Sequence, residues 1–247
     1  MKRLMIYIFA MLAAAAADNV FAQDKGIDIS GGSDLVSSYI WRGVYEAGVS
    51  LQPTVTISAG NFSATAWGSV DFTSTSYKEM DITLAYVLGP VTLSLADLYW
   101  EGTAGDREPI SRNYFTFDNH SPHRIEAGVS WIVSEKIPFT LSWYTILFGA
   151  ADVNSKGNRA YGSYFEIAYP FRVKSIDMKA GVGMVPWNAC GTYGIDRSFY
   201  VQNIFLNAVK RWQIGERQDM NIGLFTNLIW NPALEDANFV GGISFIM

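Results

Sequence analysis

Phe62-Ser63-Ala64-Thr65-Ala66-Trp67-Gly68-Ser69-Val70-Asp71-Phe72 changes character at almost every step. One face of this stretch carries Phe62, Ala64, Ala66, Val70 and Phe72. The other carries Ser63, Thr65, Ser69 and Asp71, with Trp67 as the exception. A period of two belongs to a β-strand with one apolar and one polar face. Residues 79–88 repeat it, with Met80, Ile82, Leu84, Tyr86 and Leu88 opposing Glu79, Asp81 and Thr83. Residues 124–134 set Ile125, Ala127, Val129, Trp131 and Val133 against Arg124, Glu126, Ser130 and Ser134. Each run has about ten residues, the length of a tilted strand that crosses a bilayer.

Twelve such runs lie near 27–43, 51–60, 62–72, 79–88, 90–100, 123–134, 137–149, 158–170, 172–185, 198–212, 218–230 and 236–247. The runs at 198–212 and 218–230 alternate least cleanly, so ten or fourteen strands stay open as alternatives. The links after even runs are tight: Gly60-Asn61, Gly89-Pro90, Glu135-Lys136, Pro170-Phe171 and a polar link at Gly215. The links after odd runs are mostly longer, above all 101–122 and 186–197. Short turns alternating with long loops describe an all-β, transmembrane, antiparallel up-and-down barrel of about twelve strands, with short turns and both termini periplasmic. Phe239, Gly241, Ile243, Phe245 and Met247 share one face of the last run. Outer-membrane barrels resemble this, usually with an aromatic last residue through which the barrel assembly machinery recognises the chain; here the end is Met247.

Composition agrees. The chain of 247 residues is 49% hydrophobic and 15% aromatic but only 17% charged, where soluble domains carry about 25% charge. Disorder needs the opposite balance, and a net charge of −5 offers no basic field for nucleic acid. The single Cys190, in the 186–197 loop, builds no disulfide framework and no multi-cysteine zinc site. Lys2 and Arg3, the apolar run at 4–17 and Val20-Phe21-Ala22 have the layout of a secretory signal peptide. Residues 1–22 are therefore expected to be cleaved, leaving 23–247 as a barrel in the outer membrane of a Gram-negative bacterium. A membrane anchor is the alternative, but the apolar run is short for a span.

A soluble β-sandwich or lipocalin-like barrel would also show one apolar face. Strands this long and numerous, with charges and small residues on the polar face, fit a water-filled lumen better. Aromatics near the run ends (Trp41, Trp100, Phe139, Tyr169, Trp212, Trp230) suit interfacial girdles.

Asp34-Leu35-Val36-Ser37-Ser38-Tyr39-Ile40-Trp41-Arg42-Gly43 resembles the opening of the TorF-type porins of bacterial outer membranes, whose first strand has a Ser-x-Tyr-x-x-Arg-Gly-like pattern. Pro53, the pair Trp67-Gly68, Asp71 and Asp81 continue the resemblance over the first third of the chain that follows the signal peptide. It implies the barrel fold and the outer-membrane location more than a substrate.

Strand parity, with Leu35, Tyr39 and Trp41 facing lipid, points Asp34, Arg42, Asp71, Glu79, Asp81, Arg124 and Glu126 inward. Trp67, Tyr144 and Tyr164 point inward with them. Arg42, Asp71, Glu79, Asp81, Arg124 and Glu126 fall in the outer half and are the candidate pore-lining residues. Acidic rings favour cations, so one expectation is a channel for passive diffusion of small polar or ionic solutes, weakly cation-preferring. The other is a salt-bridge network that braces a closed structural or loop-binding barrel. Outer-membrane lipid is the expected surrounding partner, and no cofactor is expected.

Catalytic and metal-binding signals are thin. His120 and His123 with Asp118 give His-x-x-His without a completing ligand or established spacing. An outer-membrane lipase would need Ser and His together on the lipid-facing wall, and both histidines are expected in the long loop, so no enzyme is expected.

Overall fold

A computed structural model describes residues 26–73, 78–101, 113–117, 121–215 and 220–247. The strands are β1 (Asp28–Val36), β2 (Tyr39–Trp41), β3 (Val44–Ala47), β4 (Ser50–Ala59), β5 (Phe62–Asp71), β6 (Lys78–Leu88) and β7 (Val91–Glu101). There follow β8 (His123–Ile132), β9 (Thr140–Gly149), β10 (Ser163–Val173), β11 (Ile176–Val185), β12 (Tyr200–Ile214), β13 (Met220–Asn231) and β14 (Asp236–Ile246). One helical turn, α1 (Cys190–Tyr193), precedes β12. Twelve strands, β1 and β4 to β14, close into an antiparallel barrel, and β2 with β3 forms a separate two-stranded hairpin. Closure runs through β1 against β14, with Leu35 opposite Ile243. Met247 extends that seam by exchanging backbone hydrogen bonds of 2.9 and 3.0 Å with Gly31.

The period-two pattern sets the wall. Leu51, Val55 and Ile57 on β4, Leu93 on β7, Val129 and Trp131 on β8, and Leu224, Leu228 and Trp230 on β13 project outward and are exposed. Intervening positions such as Gln52, Ser69, Glu126, Ser142, Gln202 and Ser244 are buried inside. A closed barrel leaves no strand edge unpaired. Phe139, Tyr169, Trp212 and Trp230 lie exposed on the exterior as expected of a girdle, with Phe139 and Tyr169 rings 4.9 Å apart.

Four expectations need correction. The run at 27–43 is not one strand: β1 ends at Val36 and β2–β3 turns into the barrel. Tyr39 and Trp41 therefore do not face lipid; Tyr39 is buried, and Trp41 packs on Trp100 and Tyr193. Trp100 is likewise an interior residue rather than a girdle residue. The turn after β10 is at Lys174-Ser175, not Pro170-Phe171. Pro170 stays in the strand because the β9 ladder stops at Ala168 opposite Thr140, so its missing N–H breaks no pairing there.

Gly60 and Gly89 have φ of 60° and 57°, a left-handed conformation that glycine adopts without Cβ strain and two-residue hairpin turns use. These tight turns and both ends of the described chain lie at one end of the barrel. The 150–162 and 186–199 connections lie at the other. There they are tied by buried Asp152, which accepts from Gly162 N (3.0 Å) and Thr192 Oγ1 (2.8 Å).

Candidate functional site

The β2–β3 hairpin turns through Arg42 (φ 50°) and Gly43 (φ 84°). Positive φ at both central residues is the turn whose twist matches a two-residue hairpin. Gly43 is required twice over: a Cβ there would also strike the carbonyl oxygen of Gln202. Two buried wall residues hold the tip by its backbone. Gln202 Nε2 donates to the Arg42 carbonyl at 3.1 Å, and Asn231 Nδ2 donates to the Gly43 carbonyl at 2.9 Å.

The flanks of the hairpin fill the half of the lumen nearer the 150–162 and 186–199 connections. Tyr39 and Ala47 pack with Ala96, Leu98, Trp100 and Ile146. Ile40 meets an inward apolar patch of Val36, Ile229 and Val240. Trp41 stacks on Tyr193 at 5.6 Å with an interplanar angle of 8°, and meets Trp100 edge-on at 5.1 Å. Since Glu126, Tyr144, Tyr164, Gln202 and Asn231 come from β8, β9, β10, β12 and β13, the tip reaches across to much of the wall.

Arg42 is the centre of this arrangement. Its Nη1 and Nη2 donate to the two oxygens of Glu126, each at 2.7 Å. Such a fork-on-carboxylate pair is strong and directional. Nη1 also donates to Tyr193 Oη at 3.2 Å. Burial pushes the Tyr193 hydroxyl up from its ordinary pKa, so it stays a neutral acceptor. The guanidinium carbon lies 4.6, 4.5 and 4.8 Å from the ring centres of Trp41, Tyr144 and Tyr164. Those distances are within cation–π range.

The other charges selected by parity also project inward, but they do not form one ring. Asp71 accepts from its own loop, from Thr73 N and Oγ1, each at 2.7 Å from one of its oxygens. Glu79 accepts from Trp100 Nε1, and Arg124 lies 3.9 Å over the other partner surface, the ring of the same Trp100. Asp81 stands opposite Leu98 in the ladder and beside Glu79. The geometry joins Arg42 to Glu126 and sets Glu79 and Arg124 against Trp100, with Asp81 beside Glu79, while Asp71 is held by Thr73 of its own loop. Sequence parity missed Tyr193, Gln202 and Asn231; a helical turn and two amides in otherwise ordinary strands carry no distinguishing pattern.

Towards the end with the tight turns, a cavity of about 310 Å³ opens between Ser30, Asp34, Thr54, Thr56, Arg211 and Ser244. Asp34 thus faces inward as expected.

His123 is the last correction: it lies on β8, not in the loop. It stands opposite Tyr99, and the following outward position pairs Ile125 with Asp97. All four are buried although their side of the wall is the outer one. Residues 113–117 cover it. Phe117 stacks on His123 at 4.1 Å, and Tyr114 packs on both Tyr99 and His123. His123 Nδ1 faces Asp97 Oδ1 at 2.7 Å, while Nε2 faces the Tyr114 carbonyl. Burial, then the Asp97 charge, pushes the Tyr114 hydroxyl up to about 12. Ser121 Oγ accepts from the His123 backbone N–H at 3.2 Å, so it is not placed against the ring as a nucleophile would be. His120 and Asp118 lie outside the described residues, and no group of three metal-ligating side chains occurs among the described ones.

The arrangement is that of a closed twelve-stranded barrel with a polar, charged interior and an inward hairpin. No protein-family model matches the chain, and no curated protein matches its sequence. Solved structures align over most of it. The KdgM porin, solved with disordered oligogalacturonate, is 6% identical with a TM-score of 0.46, covering 88% of this chain and 97% of that one. The NanC porin in a rhombohedral crystal form is 9% identical with a TM-score of 0.46, covering 88% and 98%. The outer membrane protein OprD from Pseudomonas aeruginosa is 12% identical with a TM-score of 0.34, covering 90% and 64%. At these values the alignments carry no inference about substrate, and function rests on the chain's own residues.

Proposed function

We propose that this protein is an outer-membrane porin-type channel for passive diffusion of small polar or ionic solutes, narrowed in its outer half by the β2–β3 hairpin and weakly cation-preferring. The observation that carries the reading is the inversion of a soluble fold. The apolar side chains of the wall project outward and are exposed, while the interior holds carboxylates, guanidiniums, amides and hydroxyls. That pattern suits hydrocarbon outside and water inside. The resemblance to the TorF-type porins supports the same reading. Signal-peptide cleavage after Ala22, periplasmic termini and delivery by the barrel assembly machinery through β14 belong to it.

The cation preference rests on Asp71, Glu79, Asp81 and Glu126 against Arg42 and Arg124. Fixed charge in a narrow passage attracts counter-ions. Conductance of the refolded protein in planar bilayers tests the channel, and reversal potentials in a salt gradient test the preference. A conducting wild type with anion preference sinks the selectivity. One specific observation favours a second reading: the Arg42–Glu126 pair and the ring packing around it also suit a closed, braced barrel. No conductance at all would select that reading.

A further inference from the structure

Two of the rings around Arg42 are seated by the barrel wall itself. Tyr164 is held from the wall: its hydroxyl donates to Glu166 at 3.1 Å and accepts from Asn203 Nδ2 at 3.1 Å. Its ring lies over Gly183, where a Cβ would collide with it. Tyr144 lies over Gly128 in the same way, at 2.8 Å from where a Cβ would be. Two strand glycines thus make room for two rings, and Tyr193 from α1 and Glu126 from β8 complete the enclosure. Aromatic faces around one carboxylate recognise a compact organic cation, and here the occupant is the tip of the chain's own hairpin.

We propose that this seat is the channel's solute-recognition site, that it takes compact organic cations of the guanidinium or alkylammonium class, and that Arg42 is its tethered resident; the proposal rests on the channel reading above. A tethered occupant competes at high effective concentration, so a passing solute binds weakly. Weak binding is what throughput requires, since a permeating solute must leave as readily as it enters. Withdrawal of the guanidinium needs only rotation of the Arg42 side chain, because Gln202 and Asn231 hold the hairpin by its backbone.

The test uses the full refolded protein, with equilibrium dialysis of the probes methylguanidinium and tetramethylammonium as readout. Sodium at equal ionic strength is the control. Arg42→Ala, which empties the seat, is expected to bind both probes saturably and at least tenfold more tightly than wild type. Adding Glu126→Gln should weaken that binding at least tenfold. Equal binding by the single and double variants, or equal binding of sodium, overturns the proposal. Should Arg42→Ala fail to fold, wild type and Glu126→Gln are compared in planar bilayers. A permeability of methylguanidinium above that of potassium, lost in Glu126→Gln, supports the seat, and an unchanged ratio overturns it. Probe binding without conductance would keep the seat and remove the channel; conductance without probe binding would do the reverse.

Discussion

Replacing Glu126 by Gln removes one charge and almost no volume, so it isolates what the carboxylate does for Arg42. In the wild type both oxygens accept from the guanidinium at 2.7 Å, and the two side chains are 12% and 6% exposed. Removing one partner of a buried ion pair costs about 3–5 kcal/mol, mostly because the other charge is left uncompensated. Arg42 would keep Tyr193 Oη and three ring faces, each ring contact contributing roughly 0.5–2 kcal/mol according to its desolvation. We therefore expect Glu126→Gln to lie at the low end, about 3 kcal/mol. The assay is reversible urea unfolding of the lipid-embedded barrel, followed by tryptophan fluorescence. Arg42→Ala and the double variant complete a cycle; for a contacting pair the coupling should be about 0.5–3 kcal/mol. A loss below 1 kcal/mol for Glu126→Gln, or an additive cycle, would show that the pair does not hold the hairpin and would refute the reasoning.

Gly43→Ala should unseat the hairpin, since it strains a φ of 84° and drives a Cβ into Gln202; larger single-channel conductance is expected, and an unchanged record would deny the hairpin its role as the constriction. Lys at outward Leu84 or Val129 should cost about 2–4 kcal/mol near the bilayer midplane, and Lys at inward Thr83 much less, as read by urea midpoints; equal losses would reverse the face assignment. His123→Leu should release residues 113–117 from the wall, because the Asp97 and Tyr114 contacts go with the imidazole; faster proteolysis within 102–122 is the expected result, and unchanged proteolysis would show that another contact holds the strap. Intact mass of the membrane-isolated protein should place the mature N-terminus at Gln23, and a retained Met1 would contradict cleavage.

How far the sequence could be read follows from what period two encodes. Along β5, β6 and β8 each residue faces either the outside of the barrel or its lumen, and the alternation of Val70 with Asp71 or Glu126 with Ala127 records that choice directly. The strand count and most faces were legible for this reason. Parity has no information about how far a side chain lies from the other wall, so it could select Glu126 but could not join it to Arg42, which is inside because a hairpin carries it there and not because of its place on a wall strand. It also assumes an unbroken strand. Ser37-Ser38 ends β1 without any Gly or Pro, so Tyr39 and Trp41 read as two more outward residues of one long strand although they point into the barrel.

The same limit explains Asp97 and His123. Two polar residues on an outward face look like a lapse in alternation, and Ile125 between them looks lipid-facing. Yet all three are covered by an aromatic strap from the loop between β7 and β8, whose Tyr114 carbonyl meets Nε2 of His123 while Asp97 on the wall meets Nδ1, so that the Asp97 charge is paired and shielded. A charge on the outer wall is tolerable only if paired and kept from hydrocarbon. The exception to the pattern therefore locates the strap: where a polar pair breaks the apolar face near the loop end of the barrel, the chain itself must supply the cover. The converse holds inside. Val36, Ile229 and Val240 break the polar face, and Ile40 of the hairpin packs on them together with Phe205 and Phe225 of the wall. Both departures from alternation mark places where a connection folds back on the wall, one outside and one within. That pairing supports treating the β2–β3 hairpin as a fixed part of the barrel interior rather than a removable plug, because its departure would uncover this apolar patch.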